Sequence, residues 1–267
     1  MNRFSLEGRV ALITGASRGL GRAMAGAFAD SGATVVLAAR DHLKLESAAE
    51  EIRAAGGKAD VEAFDLLDEA AVIAAVPRLV ARHGRLDILV NNAGICVWGG
   101  LLDSTLDVWR RTVDTNLTAV YLLAREAARQ MIAQRYGRII NISSYVAAIG
   151  RERLQAYVAS KHGVAGLTKS LAGELGRHGV TCNAVAPGIF ETEMAAPVMA
   201  DPSRLKVFTD AIALARLGRP EELVGAALFL ASEAASYVTG HTIHVDGGIV
   251  GALSLPVAVT SESSSST

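Results

Sequence analysis

The chain is poor in the features that build small extracellular or membrane-bound proteins. It has only two cysteines, Cys96 and Cys182, far apart and without a Cys-x-x-Cys. Neither a zinc knuckle nor a disulfide framework is therefore indicated, and reduced, partly buried thiols are expected. It has no charge excess: 26 Lys plus Arg stand against 27 Asp plus Glu, a net charge of -1. That balance argues against nucleic acid or an anionic membrane recruited by charge. Long apolar runs are missing as well. The stretch from Gly247 to Ser261 is uncharged, but Gly, Ser and Pro256 interrupt it, short of the roughly 18 apolar residues a spanning helix needs. Near the start, Glu7 and Arg9 precede an apolar run, Val10 to Ile13, too short for a secretory signal. A cytoplasmic location with no membrane partner is expected. What the chain does have is apolar content, 51% of 267 residues, enough for one core, since α/β domains reach about 250 residues undivided.

Short β-branched runs alternate with longer stretches of helical periodicity, the pattern of βαβ units and a parallel sheet. Seven strands are expected: Val10–Thr14, Thr34–Ala38, Ala59–Phe64, Ile88–Val90, Ile139–Ile142, Thr181–Val185 and Thr242–Val245. Several are continuous apolar runs, as strands covered on both faces should be. Leu20, Ala23, Met24, Ala27 and Phe28 form one helical stripe that Asp30-Ser31-Gly32 ends. The same test predicts helices over about 105–134, 154–177 and 220–232. Three prolines and a glycine between Pro187 and Pro202 break any long helix there. A loop or broken helical flap over about 187–215 is expected, within one domain of residues 1–250. Residues 251–267 form a tail whose nearly all-Ser end is expected to be disordered.

Between the first strand and the first helix lies Thr14-Gly15-Ala16-Ser17-Arg18-Gly19-Leu20-Gly21. Free backbone N–H groups and a positive helix end make this a place for a diphosphate, and glycines let the backbone turn tightly and approach it. The spacing differs from G-x-G-x-x-G. Gly15 to Gly19 also satisfies G-x-S-x-G, the nucleophile elbow of serine hydrolases. Ser17 would then be a nucleophile, with His241 or His244 completing a triad, although nothing precedes the first strand to supply an oxyanion loop. At the end of the second strand stands Ala39-Arg40-Asp41. An acidic residue at this place would bind both ribose hydroxyls of an adenosine. Arg40 with Arg18 instead offers a bidentate cation pair for a 2′-phosphate, which favours NADP over NAD. The alternatives are a solvated Arg40 and an Asp41 that caps the next helix.

Tyr157 and Lys161 lie at i and i+4 on one helix face. Bringing a phenol from a pKa near 10 to about 7 takes roughly 4 kcal/mol, which a neighbouring ammonium and an oxidised nicotinamide can supply. Ile139-Ile140-Asn141-Ile142-Ser143-Ser144 delivers hydroxyls to the carboxyl edge of the sheet, where open α/β folds bind ligands. Asp87 to Gly94, with Asn91-Asn92-Ala93-Gly94, ends at the same edge. Asn116 interrupts an apolar helical stretch in which Asn is disfavoured.

Taken together, Thr14-Gly15-xxx-Gly19-x-Gly21, Asn91-Asn92-Ala93-Gly94, Asn116, Ser144, Tyr157-xxx-Lys161 and Pro187-Gly188 resemble the short-chain dehydrogenase/reductases from Leu6 to Gly248. The resemblance implies a Rossmann fold, a doubly wound seven-stranded parallel sheet of order 3-2-1-4-5-6-7 with helices on both faces. It implies Tyr157 as acid/base, Lys161 on the nicotinamide ribose and acidifying the tyrosine, Ser144 on the carbonyl and Asn116 anchoring a relay water. Cofactor contacts are implied for Gly15, Ser17, Arg18, Gly19, Leu20, Gly21, Arg40, Asp65, Leu66, Asn92, Ala93, Gly94, Tyr157, Lys161, Pro187, Gly188, Ile189 and Thr192. Asp65 meets adenine in that scheme, unless it caps a helix. Ala39 with Arg18 and Arg40 resembles the NADP-preferring pattern, with NAD possible.

Within the family, Leu217 to Gly248 resembles gluconate 5-dehydrogenase-like sugar-acid and polyol enzymes and also 3-oxoacyl-[acyl-carrier protein] reductases. A nucleotide-sensing Rossmann protein without activity is the alternative of another class, disfavoured by the complete Ser/Tyr/Lys/Asn set. Candidate substrate walls are Ser144, Tyr145, Trp98, Gln155, Phe190 and Met194, with Ile95, Val97, Ile149, Arg151 and Arg153. Arg151 or Arg153 can hold a carboxylate or form an exposed charged loop, the loop being the default. His241, His244 and Asp246 are too few on one strand face for a metal and are expected to border a subunit contact, since the resemblance implies a homotetramer.

Overall fold

A computed structural model describes residues 2–252; nearly all of the expected 251–267 tail lies outside the described residues. Seven strands, β1 (Val10–Thr14), β2 (Thr34–Ala39), β3 (Lys58–Ala63), β4 (Ile88–Asn91), β5 (Gly137–Ile142), β6 (Val180–Pro187) and β7 (Thr242–Val245), form one sheet of order β3-β2-β1-β4-β5-β6-β7. All six pairings are parallel, as predicted. The helices in chain order are α1 (Gly19–Asp30), α2 (His42–Ala54), α3 (Glu69–His83), α4 (Leu106–Val113), α5 (Ala119–Gln134), α6 (Val146–Ile149), α7 (Gln155–Leu175), α8 (Ala196–Met199), α9 (Pro202–Asp210) and α10 (Pro220–Ala231).

The two-residue period of each strand sorts its side chains between two cores. Ala11 and Ile13 of β1, with Val35 and Leu37 of β2, pack against Met24 and Phe28 of α1, Leu45 of α2 and Leu223 and Leu230 of α10. Their neighbours Leu12, Val36 and Leu89 meet Val76 and Leu79 of α3, Leu123 of α5 and Leu175 of α7 on the opposite face. Helices therefore cover both faces. No helix among the described residues is long and apolar enough to cross a membrane.

Two helices and one irregularity depart from the periodicity reading. α2 and α3 carry their stripes largely in alanine, with Leu45, Ala48, Ala49 and Ile52 in one and Val72, Ala75, Val76 and Leu79 in the other. Their starts are marked by Asp41 and Asp68, which accept from the Lys44 and Ala71 amides. The helix predicted over 105–134 is divided by a π-helical segment, Asp114–Thr118, in which the Ala119 N–H reaches back to the Asp114 carbonyl. Asn116 lies in it. The segment after β6 is broken as predicted, into a 3-10 turn at Glu193–Ala195 followed by α8 and α9.

Candidate active site

The strand order reverses at β1, whose neighbours are β2 and β4, so the loops beyond β1 and β4 part and leave a crevice at the carboxyl edge. Its floor is rigid. Thr14 Oγ1 accepts from the Asn92 and Ala93 amides at 3.0 and 3.1 Å, and Asn92 Nδ2 donates to the Thr14 carbonyl at 2.8 Å and to that of Gly15 at 3.3 Å. A Cβ on Gly21 would fall against the Gly15 carbonyl and 2.5 Å from Asn92 Nδ2, so only glycine lets α1 start here. Gly19 has φ +54° and opens only onto the Thr192 side chain.

The residues fit a dinucleotide diphosphate. Arg18 at the N-cap of α1 makes no side-chain cap hydrogen bond, and no acidic residue occupies the first turn. The first amides are thus left as donors for an anion.

Arg18 and Arg40 each meet a carboxylate. Arg18 forms an ion pair with Glu193, and Arg40 Nη1 lies 3.7 Å from Asp65 Oδ2. All four side chains are more than two-fifths exposed, so both ion pairs are weak and exchangeable. Asp65 does not cap α3, a role taken by Asp68; its Oδ1 accepts from the Leu67 amide at 3.0 Å. Leu66 beside it packs against the core. The His241 or His244 partner expected for Ser17 is out of reach: His244 lies on β7 and His241 just before it, and four strand spacings, about 19 Å, separate β1 from β7. The serine hydrolase reading is thereby corrected.

Ser144 follows β5, Tyr157 and Lys161 project from α7, and Asn116 comes from the π-helical segment, so three elements converge on one place. The π-helical geometry aims the Asn116 amide at the β4–α4 loop. Its Oδ1 accepts from the Ile95 amide at 2.8 Å, and its Nδ2 donates to the Ile95 carbonyl at 2.9 Å and to Ser160 Oγ at 3.2 Å. The side chain therefore ties this loop to α7. A Cβ on Gly94 would lie 3.1 Å from Asn116 Oδ1 and 3.6 Å from Lys161 Nζ, so the glycine keeps the space between them open.

Lys161 is 4% exposed, and its Nζ donates to the Ile142 carbonyl at 2.7 Å. Burial pulls its pKa down to about 8. Burial also pushes the Tyr157 phenol well above its usual value, with the nearby Ser144 hydroxyl acting in the opposite direction. Nζ sits 5.7 Å from the Tyr157 ring centroid, with its hydrogen bond directed to the Ile142 carbonyl.

Around these groups the structure sorts the expected wall residues. Tyr145 is buried, its amide donating to the Pro187 carbonyl at 2.9 Å. Trp98 and Met194 are 51% and 55% exposed at the rim, and Gln155 begins α7 half-buried. Phe190 is a correction: it is a core residue whose ring fills the space beside Gly218. Gly188 is pressed against Asp246, and the Ile189 carbonyl accepts from the Gly218 amide at 2.9 Å. The exposed loop expected for Arg151 and Arg153 holds only for Arg153; Arg151 turns inward. Sequence reasoning also passed over Cys96, whose thiol burial pushes up to about 11 and which bears on Tyr157. Its signal was position, two residues past Gly94 and between the wall residues Ile95 and Val97. His241 and His244 are exposed, and no metal-ligand cluster occurs among the described residues.

A doubly wound sheet with a nucleotide-ready turn at its switch point, and a half-buried phenol and a buried ammonium alongside, is the scaffold of a nicotinamide-dependent oxidoreductase. Comparison with known proteins is more specific. A family model described as enoyl-(acyl carrier protein) reductase matches residues 15–250. A gluconate 5-dehydrogenase of Gluconobacter oxydans is 42% identical over 92% of this chain and 96% of its own length. A 3-oxoacyl-[acyl-carrier-protein] reductase of Aquifex aeolicus is 42% identical over 91% of this chain and 98% of its own. The crystal structure of a gluconate 5-dehydrogenase from Burkholderia cenocepacia, in complex with NADP and tartrate, superposes with a TM-score of 0.91 at 40% identity, covering 94% of this chain and 99% of that one. The chain belongs to the short-chain dehydrogenase/reductase family.

Proposed function

We propose that the protein is an NADP-dependent oxidoreductase that interconverts a ketone and a secondary alcohol, with a sugar acid or polyol as substrate in preference to a 3-oxoacyl thioester. When bound, the dinucleotide supplies or accepts the hydride. Gly15, Ser17, Gly19, Leu20 and Gly21 hold its diphosphate, Arg40 and Arg18 its 2′-phosphate, and Asp65 with Leu66 its adenine. Asn92, Ala93 and Gly94, with Pro187, Gly188, Ile189 and Thr192, border the nicotinamide half. Ser144 donates to the substrate carbonyl oxygen, and Tyr157 exchanges a proton with that same oxygen. The phenol held protonated by burial is ready as an acid for ketone reduction. Lys161 orients the ribose and offsets phenolate charge, and Asn116 holds the Ile95 loop against α7 and places the relay water.

The observation carrying this reading is the Ser144 hydroxyl set against the Tyr157 phenol beside a buried lysine. A sugar acid is favoured because the Burkholderia relative is described with tartrate, a hydroxy acid, and because a cationic group faces inward among the walls. The test follows consumption of reduced nicotinamide against keto sugar acids, neutral keto sugars and 3-oxoacyl thioesters. Turnover led by the acids is expected; turnover led by the thioesters would transfer the protein to the reductase reading, and none with any ketone would leave a nucleotide sensor.

We further infer a homotetramer working in the cytoplasm, with residues 1–250 as one Rossmann domain and 187–215 as its substrate flap. Support comes from Leu106, Trp109 and Tyr121, exposed along α4 and α5, and from β7 at the sheet edge with His244 exposed. Both cysteines are free thiols, as a reducing compartment keeps them.

A further inference from the structure

Arg151 follows the short helix α6 and precedes α7, and its guanidinium is held by groups from three separate places. The Trp98 ring, from the loop after β4, stacks at 5.3 Å from its Cζ, and the Phe208 ring of α9 at 4.5 Å. Nη1 donates to the Tyr145 hydroxyl at 3.3 Å. The Nε is buried and has no hydrogen-bond partner among the described residues, although a buried guanidinium donor left unpaired is costly. With Nη1 engaged, the donors left without a partner among the described residues are Nε and Nη2, the edge that grips a carboxylate bidentately. Arg85 shows that grip elsewhere in the fold, with Nε and Nη2 on the two oxygens of Asp87 at 2.7 and 2.6 Å.

Arg151 adjoins the candidate active site through Tyr145, whose hydroxyl it contacts at 3.3 Å and which directly follows Ser144 in the chain.

We propose that Arg151 is the specificity-determining residue of the site, its Nε and Nη2 receiving the carboxylate of a hydroxy or keto acid whose reacting carbon lies at Tyr157 and Ser144. This rests on the sugar-acid reading above and gives it a residue. A neutral polyol or an acyl thioester has no carboxylate to satisfy this edge. Phe208 and Trp98 fix the plane of the fork, so α9 and the loop after β4 contribute to recognition by orienting it.

The test uses the full chain with NADPH and two substrates of equal length, a keto sugar acid and the neutral keto sugar with a hydroxymethyl group in place of the carboxylate. The readout is the ratio of their kcat/KM values, which is insensitive to any fraction of misfolded enzyme. Arg151→Met keeps the apolar stem between the rings and removes the fork. The acid-to-neutral ratio is expected to fall on the order of 10- to 100-fold, as for a lost charge-assisted pair, through KM for the acid. Arg151→Lys, a point charge, should restore only part of it, and added guanidinium should raise acid turnover by Arg151→Met. A merely structural Arg151 would lower both substrates together. If wild-type enzyme prefers the acid and Arg151→Met keeps that preference, the anchor is refuted while the sugar-acid reading stands. If wild-type enzyme shows no preference for the acid, the sugar-acid reading falls and the anchor with it.

Discussion

Lys161→Met should make the protein more stable and inactive at once. The folded state holds this ammonium at 4% exposure, and its pKa drops from 10.5 to about 8. That difference of roughly 2.5 units corresponds to a penalty of about 3 kcal/mol on the charged, folded form at neutral pH. Methionine removes the penalty but also the 2.7 Å hydrogen bond to the Ile142 carbonyl, worth about 1 kcal/mol. A net gain of about 2 kcal/mol at pH 7 is expected. The sign of the pH dependence follows from the unfolded chain binding more protons between the two pKa values. The wild-type penalty is complete below pH about 8 and vanishes as pH rises toward 10.5, so wild-type stability gains on the variant across that window. The Cys96 thiol, pushed up to about 11, acts in the opposite sense, but it is common to both proteins and largely cancels in their difference. Urea unfolding of both proteins at several pH values reads that difference directly. A variant less stable at pH 7, or a difference that does not change with pH, would refute the reasoning.

Two further predictions concern the nucleotide. Gly21→Ala places a methyl against the Gly15 carbonyl and Asn92, which the hydrogen bonds to Thr14 hold in place; about 1–3 kcal/mol of stability and most NADPH affinity should be lost, measured by thermal melting and fluorescence titration. An unchanged titration would mean that the turn does not carry the diphosphate. Arg40→Ala, which gives up an exposed partner 3.7 Å from Asp65, should leave the melt unaltered while weakening NADPH about 10-fold more than NADH. Equal weakening of both would contradict the 2′-phosphate assignment.

The sheet was legible because its inner parallel strands are covered on both faces and so appear as short apolar runs, Val10 to Thr14 being the clearest. Local spacing sets the turn on one edge and Tyr157 and Lys161 on one helix face, a pair that taken alone reads as a surface contact and that the strand ending at Ser144 marks out. What escaped depends on partners distant in sequence. The π-helical segment at Asn116 is bonded to Ile95, and no local pattern announces that contact. Arg151 resembles any loop arginine until Trp98 and Phe208 enclose it. Phe190 is drawn into the core by the space Gly218 leaves, and no local pattern announces the ion pairs of Arg18 with Glu193 and of Arg40 with Asp65. The buried lysine was foreseen as an acidifying neighbour. Its hydrogen bond to the Ile142 carbonyl, 19 residues earlier in the chain, has no local signal.

The account depends most on Tyr157 as the group that exchanges a proton with the substrate oxygen, and Tyr157→Phe removes that hydroxyl while keeping the ring. Single-turnover measurement of hydride transfer in this variant, with NADPH affinity measured alongside, should show a rate lower by about 100- to 10,000-fold and nucleotide binding intact. Hydride transfer at the wild-type rate would contradict it.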